Sequence, residues 1–288
     1  MDPIIEQTDG VVTATYNRLP VVFERGRGTM LWDTAGRRYI DFLAGIAVCG
    51  LGHAHPALQE ALAIQAGRLV HVCNLYYTIP QAELAAWLVE HSFADRVFFC
   101  NSGAEANEAA IKLARKAAHD RGESGRYRII SMAQSFHGRT MGSLSATGQD
   151  KIKKGFYPVL EGFAFVPFDD IAALRSAIDD TVCAVMLEPI QGEGGVICPS
   201  EGYLLAVRQV CDEAGALLIL DEIQTGMGRT GKLFAHEHSG IAPDIMTLAK
   251  ALGNGLPIGA MLARESAARS FDAGAHGTTF GGTPLITA

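Results

Sequence analysis

The segment Leu217-Leu-Ile-Leu-Asp-Glu-Ile-Gln224 places an apolar run of strand length directly before two acidic residues. An apolar run without alternating polar residues is typical of a strand that is buried on both faces, as in a parallel sheet covered by helices. Ligands of such sheets bind beyond the carboxyl ends of the strands. The segment therefore predicts an α/β fold and the edge of the sheet at which functional residues should lie.

The rest of the chain extends this pattern. Further apolar runs of strand length occupy 96–100, 127–132, 163–168 and 182–188, and helical stretches occupy 81–90, 103–120 and 201–214. Their alternation predicts a mostly parallel sheet covered by helices. Before them, short strand-like runs separated by turn residues predict a small antiparallel meander in the first ~45 residues. We expect residues 1–50 to form the N-terminal part of a small domain and residues 51–288 a large domain.

Composition excludes several classes of protein. The 288 residues are 48% hydrophobic and carry a net charge of −7, so the sequence predicts no binding to nucleic acid. No apolar run approaches the ~18 residues that span a bilayer, and the start Met1-Asp-Pro-Ile4 does not resemble a secretory signal, so we expect a cytoplasmic protein without membrane contact. Six scattered cysteines without a CxxC pair predict reduced thiols, and no metal site is expected.

The strand at 96–100 is followed by Asn101-Ser-Gly-Ala-Glu-Ala106. Ser102 and Glu105 have the spacing of a capping box that begins a helix. The same helix start has free N–H groups, the positive end of a dipole and a glycine that allows close approach, which are the features of a phosphate site. A capping box and a bound phosphate compete for the same donors, so both interpretations stay open.

Two other strand ends carry charged groups. Lys250 follows the apolar run 244–249 and precedes a glycine-rich turn. Such a lysine is commonly a surface residue, but in a dry pocket its amine loses a proton and attacks carbonyl groups. Asp221 and Glu222 are either carboxylates bonded to loop amides or the partners of a cationic ligand group.

A fourth strand end is followed by Phe136-His-Gly-Arg139, whose side chains suit ring stacking and carboxylate binding. A helix terminus for phosphate, an acid for a ring nitrogen, an aromatic ring and a lysine are together the parts of a pyridoxal phosphate site. A competing GxGxxG match, Gly226-Met-Gly-Arg-Thr-Gly231, suggests a nicotinamide dehydrogenase. It does not follow its strand tightly, and the next residues are too broken for a crossover helix, so it is the weaker hypothesis.

At these positions the chain resembles the class III, ornithine-type aminotransferases, which are fold type I pyridoxal-phosphate enzymes. The motifs occur in family order over nearly the whole chain: Asn101-Ser-Gly-Ala-Glu-Ala-Asn107, Phe136-His-Gly-Arg139, Glu188-Pro-Ile-Gln-Gly-Glu-Gly-Gly195, Leu220-Asp-Glu-Ile-Gln-Thr-Gly226, Leu248-Ala-Lys250 and His276-Gly-Thr-Thr-Phe-Gly-Gly282.

The resemblance implies a role at each matching position. Lys250 would form the Schiff base with the cofactor and carry a proton during turnover, Asp221 would pair with the ring nitrogen, and Glu188 resembles a gating glutamate that occupies a second arginine. Contacts with the cofactor are implied for Ser102, Gly103, Ala104, Phe136, Glu222, Ile223, Gln224 and Thr279. Contacts with the substrate are implied for Arg139, Thr278 and Tyr16. Thr278 and Thr279 would reach into the site of a partner subunit, which requires a homodimer.

Within the class, Thr15-Tyr-Asn-Arg-Leu-Pro20, Asn74-Leu-Tyr-Tyr77 and the stretch 44–56 look like the acetylornithine branch. The implied reaction moves the δ-amino group of N2-acetylornithine to 2-oxoglutarate in arginine biosynthesis. Succinylornithine and succinyldiaminopimelate are alternative donors. The family's second arginine and C-terminal small-domain segment lie beyond residue 288, so we expect a fragment, with an inactive lobe as the alternative.

Overall fold

The computed structural model describes residues 2–288, which form ten strands in two sheets. The strands are β1 (Phe23–Arg27), β2 (Met30–Asp33), β3 (Arg38–Ile40), β4 (Arg96–Cys100), β5 (Arg128–Met132), β6 (Phe163–Val166), β7 (Val182–Leu187), β8 (Leu217–Asp221), β9 (Ile245–Leu248) and β10 (Gly259–Ala263). The right-handed α-helices are α1 (Pro3–Val11), α2 (Pro56–Ala66), α3 (Ile79–Glu90), α4 (Gly103–Asp120), α5 (Met141–Ala146), α6 (Asp150–Lys153), α7 (Ile171–Ala177), α8 (Tyr203–Ala214), α9 (Glu265–Ala268) and α10 (Pro284–Thr287).

The large sheet has seven strands in the order β4-β10-β9-β8-β7-β5-β6. The pairs β5–β6, β5–β7, β7–β8 and β8–β9 are parallel, whereas β10 is antiparallel to both β9 and β4. The predicted mostly parallel sheet is therefore confirmed. Strand β10 was not predicted. Only residues 249–258 separate it from β9, which is too short a connection for a crossover helix and requires an antiparallel return.

Helices cover both faces of this sheet. On one face α4 presents a row of buried alanines, including Ala110 and Ala114, whose small side chains let the helix lie close to β9 and β10. On the other face Leu204, Val207 and Cys211 of α8 are buried against the sheet, on the helix face that the sequence predicts. All six residues of β7 are buried, as expected of a central strand between two helical layers.

The predicted N-terminal meander is also present. Strands β1, β2 and β3 form a separate antiparallel sheet, linked to the following segment by reciprocal hydrogen bonds between Gly28 and His53, with both N···O distances 2.8 Å. Helix α1 was not predicted, although Asp2 caps it and Pro3 occupies its first turn. The division of the chain at residue 50 stays a prediction.

The GxGxxG match that competes with the cofactor-site interpretation can be placed in this fold. The GxGxxG match at 226–231 lies in turns, and the next regular element is the short 3-10 helix Ala235–Ser239 rather than the long helix that a dinucleotide motif begins. Within residues 2–288 no helix has both the length and the apolar character needed to cross a membrane.

Candidate functional site

A cavity of about 420 Å³ opens at the carboxyl ends of the parallel strands. The segments that follow β4, β5, β7, β8 and β9 all contribute to its wall, so residues far apart in sequence meet there. Most of the predicted site residues line it, namely Ser102, Gly103, Ala104, Phe136, Arg139, Glu188, Asp221, Ile223, Gln224 and Lys250. The structure therefore brings the separate strand ends together in one site.

One end of the cavity is formed by the start of α4. The Ser102 hydroxyl accepts a hydrogen bond from the Glu105 N–H at 3.2 Å, and the Glu105 carboxylate accepts one from the Asn101 N–H at 2.7 Å. The N–H groups of Gly103 and Ala104 have no acceptor among residues 2–288. Capping and anion binding are therefore compatible here, because the cap uses one amide of the helix start and leaves two free.

Gly103 lies at this helix start where the side chain of Ile223, which follows β8, packs directly against it. A Cβ atom added at this position would lie 2.7 Å from the Ile223 Cδ1 atom, closer than real Cβ atoms approach a neighbour. A larger residue would therefore require the Ile223 side chain to move. The glycine thus allows the start of α4 and the Ile223 side chain to pack closely at this wall of the cavity.

Asp221 lies in the same cavity, with a carboxylate that is almost fully buried. One oxygen, Oδ2, accepts hydrogen bonds from Asn107 Nδ2 and His137 Nδ1, both at 2.8 Å. The other, Oδ1, accepts from the Ile223 N–H at 3.1 Å. These donors offset the cost of burying the acid, and they suit a negatively charged acceptor.

Lys250 follows β9 and has a backbone φ of 46°, in the left-handed region that a non-glycine residue adopts at a cost. The 3-10 helix Lys250–Leu252 and the hydrogen bond from the Gly253 N–H to the Lys250 carbonyl hold this conformation. Burial lowers the pKa of the Lys250 amine, while the carboxylates of Glu193, Asp221 and Glu188 act in the opposite direction. The lowered pKa increases the fraction of neutral amine, which is the nucleophilic and basic form.

Glu188 lines the cavity and was predicted to act as a gating glutamate. Its carboxylate is buried and accepts hydrogen bonds from the N–H groups of Phe136 at 3.0 Å and Gly192 at 3.1 Å. Burial raises its pKa to about 7. With both oxygens held by the backbone, this side chain supports the Phe136 loop, and the contacts do not favour a group that swings between partners.

Glu193 is the residue that the sequence prediction missed at this wall. It lines the same cavity and is exposed, and among residues 2–288 its carboxylate has only a long 3.5 Å hydrogen-bond contact, with Gln224 Nε2. Its position between Gly192 and Gly194 is the available signal, because flanking glycines indicate an exposed turn that projects the intervening side chain.

The predicted cofactor contact of Glu222 is wrong. This side chain is buried away from the cavity and accepts hydrogen bonds from the N–H groups of Ala235 at 2.6 Å and His236 at 2.9 Å, and it contacts His236 Nδ1 at 2.8 Å. Glu222 follows the last residue of β8 and does not line the cavity, whereas Asp221 does. Glu222 instead anchors the 3-10 helix Ala235–Ser239.

Tyr16, Thr278 and Thr279 do not line the cavity. Tyr16 is exposed, with the Arg18 guanidinium 5.7 Å from the centre of its ring, so the structure does not bring it to the substrate. The Thr278 hydroxyl accepts a hydrogen bond from Asn101 Nδ2 at 3.2 Å, beside the start of α4, whereas Thr279 is exposed. A contact of the two threonines with a partner subunit stays a prediction.

The groups in the cavity fit pyridoxal phosphate. The free amides at the start of α4 match a phosphate, the Asp221 carboxylate matches a protonated ring nitrogen, and the Lys250 amine matches an aldehyde. Phe136 lies in the wall beside them and offers an aromatic face to a ring. Each functional group of the cofactor thus has a chemically complementary partner in this cavity.

Comparison with known proteins gives a consistent result. A family model described as aminotransferase class-III matches residues 11–288. A protein of Caldanaerobacter subterraneus named acetylornithine aminotransferase is 58% identical over 274 residues, covering 95% of this chain and 70% of that protein.

Solved structures with the same fold include two named aminotransferases. The ornithine aminotransferase of Toxoplasma gondii superposes with a TM-score of 0.95 at 38% identity, over 99% of this chain and 68% of that one. The N-acetylornithine aminotransferase of Stenotrophomonas maltophilia gives a TM-score of 0.82 at 47% identity, over 98% of this chain and 68% of that one.

Proposed function

The chain belongs to the class-III aminotransferases, and from this premise we propose that it transfers the δ-amino group of N2-acetylornithine to 2-oxoglutarate. The observation that carries the proposal is the single cavity in which Lys250, Asp221 and the free amides of α4 meet. Its similarity to proteins named acetylornithine aminotransferase supports the choice of amino donor. The reaction would serve arginine biosynthesis in the cytoplasm.

Enzymes of this class use pyridoxal phosphate, whose ring, when bound, withdraws electrons from the carbon that carries the amine. In this chain the amides of Gly103 and Ala104, with the Ser102 hydroxyl, would hold the phosphate. Asp221 would hold the ring nitrogen, and Phe136 would cover one face of the ring. Gln224, three residues after Asp221, also lines the cavity and would lie near the phenolic oxygen.

Lys250 and Arg139 would have different roles toward the substrate, proton transfer and carboxylate binding. The Lys250 amine, with its lowered pKa, would accept and return the proton at the carbon that carries the transferred amine. Arg139 is exposed at the wall of the cavity, with its guanidinium 5.8 Å from the centre of the Phe136 ring, and would bind a substrate carboxylate. An anchor beside the ring and a base within the cavity would orient the donor for proton transfer.

The proposal predicts the order in which amino donors react. With 2-oxoglutarate as acceptor, kcat/KM for N2-acetylornithine should exceed that for free ornithine and for γ-aminobutyrate by about tenfold or more, since a pocket contact with one added group is worth at least this much. Glutamate formation by the purified chain supplied with pyridoxal phosphate is the measurement, with Lys250→Ala as the blank. Faster turnover of an unacylated donor than of N2-acetylornithine would refute the assignment. Faster turnover of succinylornithine would instead assign the chain to the succinyl-donor branch of the class.

We further propose that two copies of the chain pair. Leu75 and Tyr77 are exposed in the segment before α3, and Phe280 is exposed in the loop that this segment contacts through hydrogen bonds from Asn74 Nδ2 to the Thr278 and Gly281 carbonyls. A cluster of exposed apolar side chains of this kind indicates an association surface. Thr279 lies in the same loop, so pairing here would carry it toward a second subunit.

Sedimentation velocity tests the pairing. We expect a species of twice the 30.7 kDa chain mass at micromolar concentration. Tyr77→Glu should shift it toward the single chain, because a charge cannot be buried unpaired in an apolar contact. A matched Tyr127→Glu substitution, at an exposed tyrosine elsewhere on the surface, should leave the mass unchanged. A single-chain mass for the unsubstituted protein would contradict the proposal.

A further inference from the structure

Asn107 is a fully buried polar residue on the otherwise alanine-rich face of α4, and the proposed roles do not account for it. Its side-chain amide makes three hydrogen bonds. The Nδ2 group donates to the His137 carbonyl at 2.7 Å and to Asp221 Oδ2 at 2.8 Å, and Oδ1 accepts from the Thr247 hydroxyl at 2.7 Å. The amide thus connects α4, β8, β9 and the loop after β5.

The direction of each bond in this network is fixed by chemistry. A carboxylate and a carbonyl can only accept, so the NH₂ side of the Asn107 amide must face Asp221 and His137. The oxygen side must then face Thr247, whose hydroxyl is therefore the donor. Donation runs in one direction, from Thr247 to Asn107 and from Asn107 to Asp221. Removal of the Thr247 hydroxyl would leave the buried Asn107 Oδ1 atom without a donor and so loosen the hold on the amide that bonds to Asp221.

The number of hydrogen bonds at Asp221 shows how many acceptor positions of its carboxylate remain free for a ligand. An ionised carboxylate has about four acceptor positions. Three are occupied, by Asn107, His137 and the Ile223 N–H. Asp221 lines the cavity, so one acceptor position remains for a ligand there. One position suits a single N–H donor, such as a protonated ring nitrogen, and does not suit the two-pronged contact that a guanidinium makes.

We propose that Asn107 and Thr247 are positioning residues that hold the Asp221 carboxylate so that its one free acceptor position faces a cationic ring nitrogen in the cavity. The inference rests on the proposed cofactor site and deepens it. Neither residue lines the cavity, so both act through Asp221. The alternative is that the network only satisfies buried polar groups between α4 and the sheet, in which case its loss would change stability alone.

A graded series at Thr247 separates these alternatives. Thr247→Val keeps the shape and removes the donor, Thr247→Cys keeps a weak donor, and Thr247→Ser restores a hydroxyl. We expect Thr247→Val to raise the dissociation constant for pyridoxal phosphate about tenfold and to shift the midpoint of the pH titration of its absorbance. Thr247→Cys should be intermediate, and Thr247→Ser close to the unsubstituted chain. Thr287→Val, at a buried threonine hydroxyl of α10, is the matched control and should leave both readouts unchanged.

The outcomes distinguish two kinds of failure. If Thr247→Val and Thr247→Cys lower the melting temperature but keep the cofactor affinity and pH midpoint of the unsubstituted chain, the network is structural and the inference is overturned. If Thr247→Val fails to fold, the comparison of Thr247→Cys with Thr247→Ser gives the same decision. If the unsubstituted chain itself takes up no pyridoxal phosphate, the proposed function fails, and this inference with it.

Discussion

The Lys250→Ala variant is expected to lose at least about a thousandfold of kcat/KM and to keep its fold, because the substitution removes a reacting amine without breaking an internal contact. The Lys250 side chain makes no hydrogen bond within residues 2–288. Alanine, like lysine, carries a Cβ atom, so it should adopt the left-handed backbone at a similar cost. The measurements are glutamate formation with saturating pyridoxal phosphate and, after removal of unbound cofactor, the imine absorbance band of the bound cofactor. Both should be lost while the melting temperature changes little.

Lys232→Ala is the matched control for this variant. Lys232 is exposed and donates to the Glu237 carbonyl at 3.0 Å, outside the cavity, so its removal should leave kcat/KM within about twofold. Residual activity of Lys250→Ala within tenfold of the unsubstituted chain would show that another group supplies the amine and would overturn the assignment of Lys250.

The Asp221→Asn variant should lose about a hundredfold or more of kcat and bind pyridoxal phosphate more weakly. If the new amide nitrogen takes the place of Oδ2, it faces the donors of Asn107 and His137. If it takes the place of Oδ1, it faces the Ile223 N–H. Either orientation sets donor against donor and removes the negative charge, so a substitution that conserves shape is still costly.

Cofactor affinity and melting temperature should be measured together for Asp221→Asn, since the substitution also disturbs a buried network. Asp212→Asn, at an exposed acid of α8, controls for the loss of one carboxylate. A variant that binds and turns over like the unsubstituted chain, while only its stability falls, would show that Asp221 has a structural role.

The four strand ends of the site could be predicted because each one is marked by a pattern of neighbouring residues in the sequence. An apolar run is followed at once by polar residues, and the rule that ligands bind at the carboxyl edge of a parallel sheet places those residues together. Lys250, Asp221, Phe136 and Ser102 were predicted on this basis and line one cavity. Which of two adjacent acids faces that cavity depends on partners elsewhere in the chain, and Glu222 was misassigned because it bonds to the N–H groups of Ala235 and His236.

What sequence reasoning missed depends on long-range contacts or on strain. Nothing near Asn107 indicates a bond to Asp221 across 114 positions or to Thr247 across 140. Strand β10 is short and lacks a distinct hydrophobic period, and its direction follows from the length of the connection before it. The left-handed backbone of Lys250 is held by the turn around it, since the residue type itself disfavours this conformation.

The long separations within the Asn107 network also predict that its hydrogen bonds form late in folding. The bonds around Asp221 join residues 84, 114 and 140 positions apart, so the loop-closure entropy of the whole sheet must be overcome before they form. A collapsed chain with helices but without the assembled sheet has no place for the cofactor. Added cofactor would therefore stabilise only the completed native state, by mass action, and would not template its formation. In a refolding reaction, the rate of cofactor uptake would therefore report the rate at which the last native contacts form.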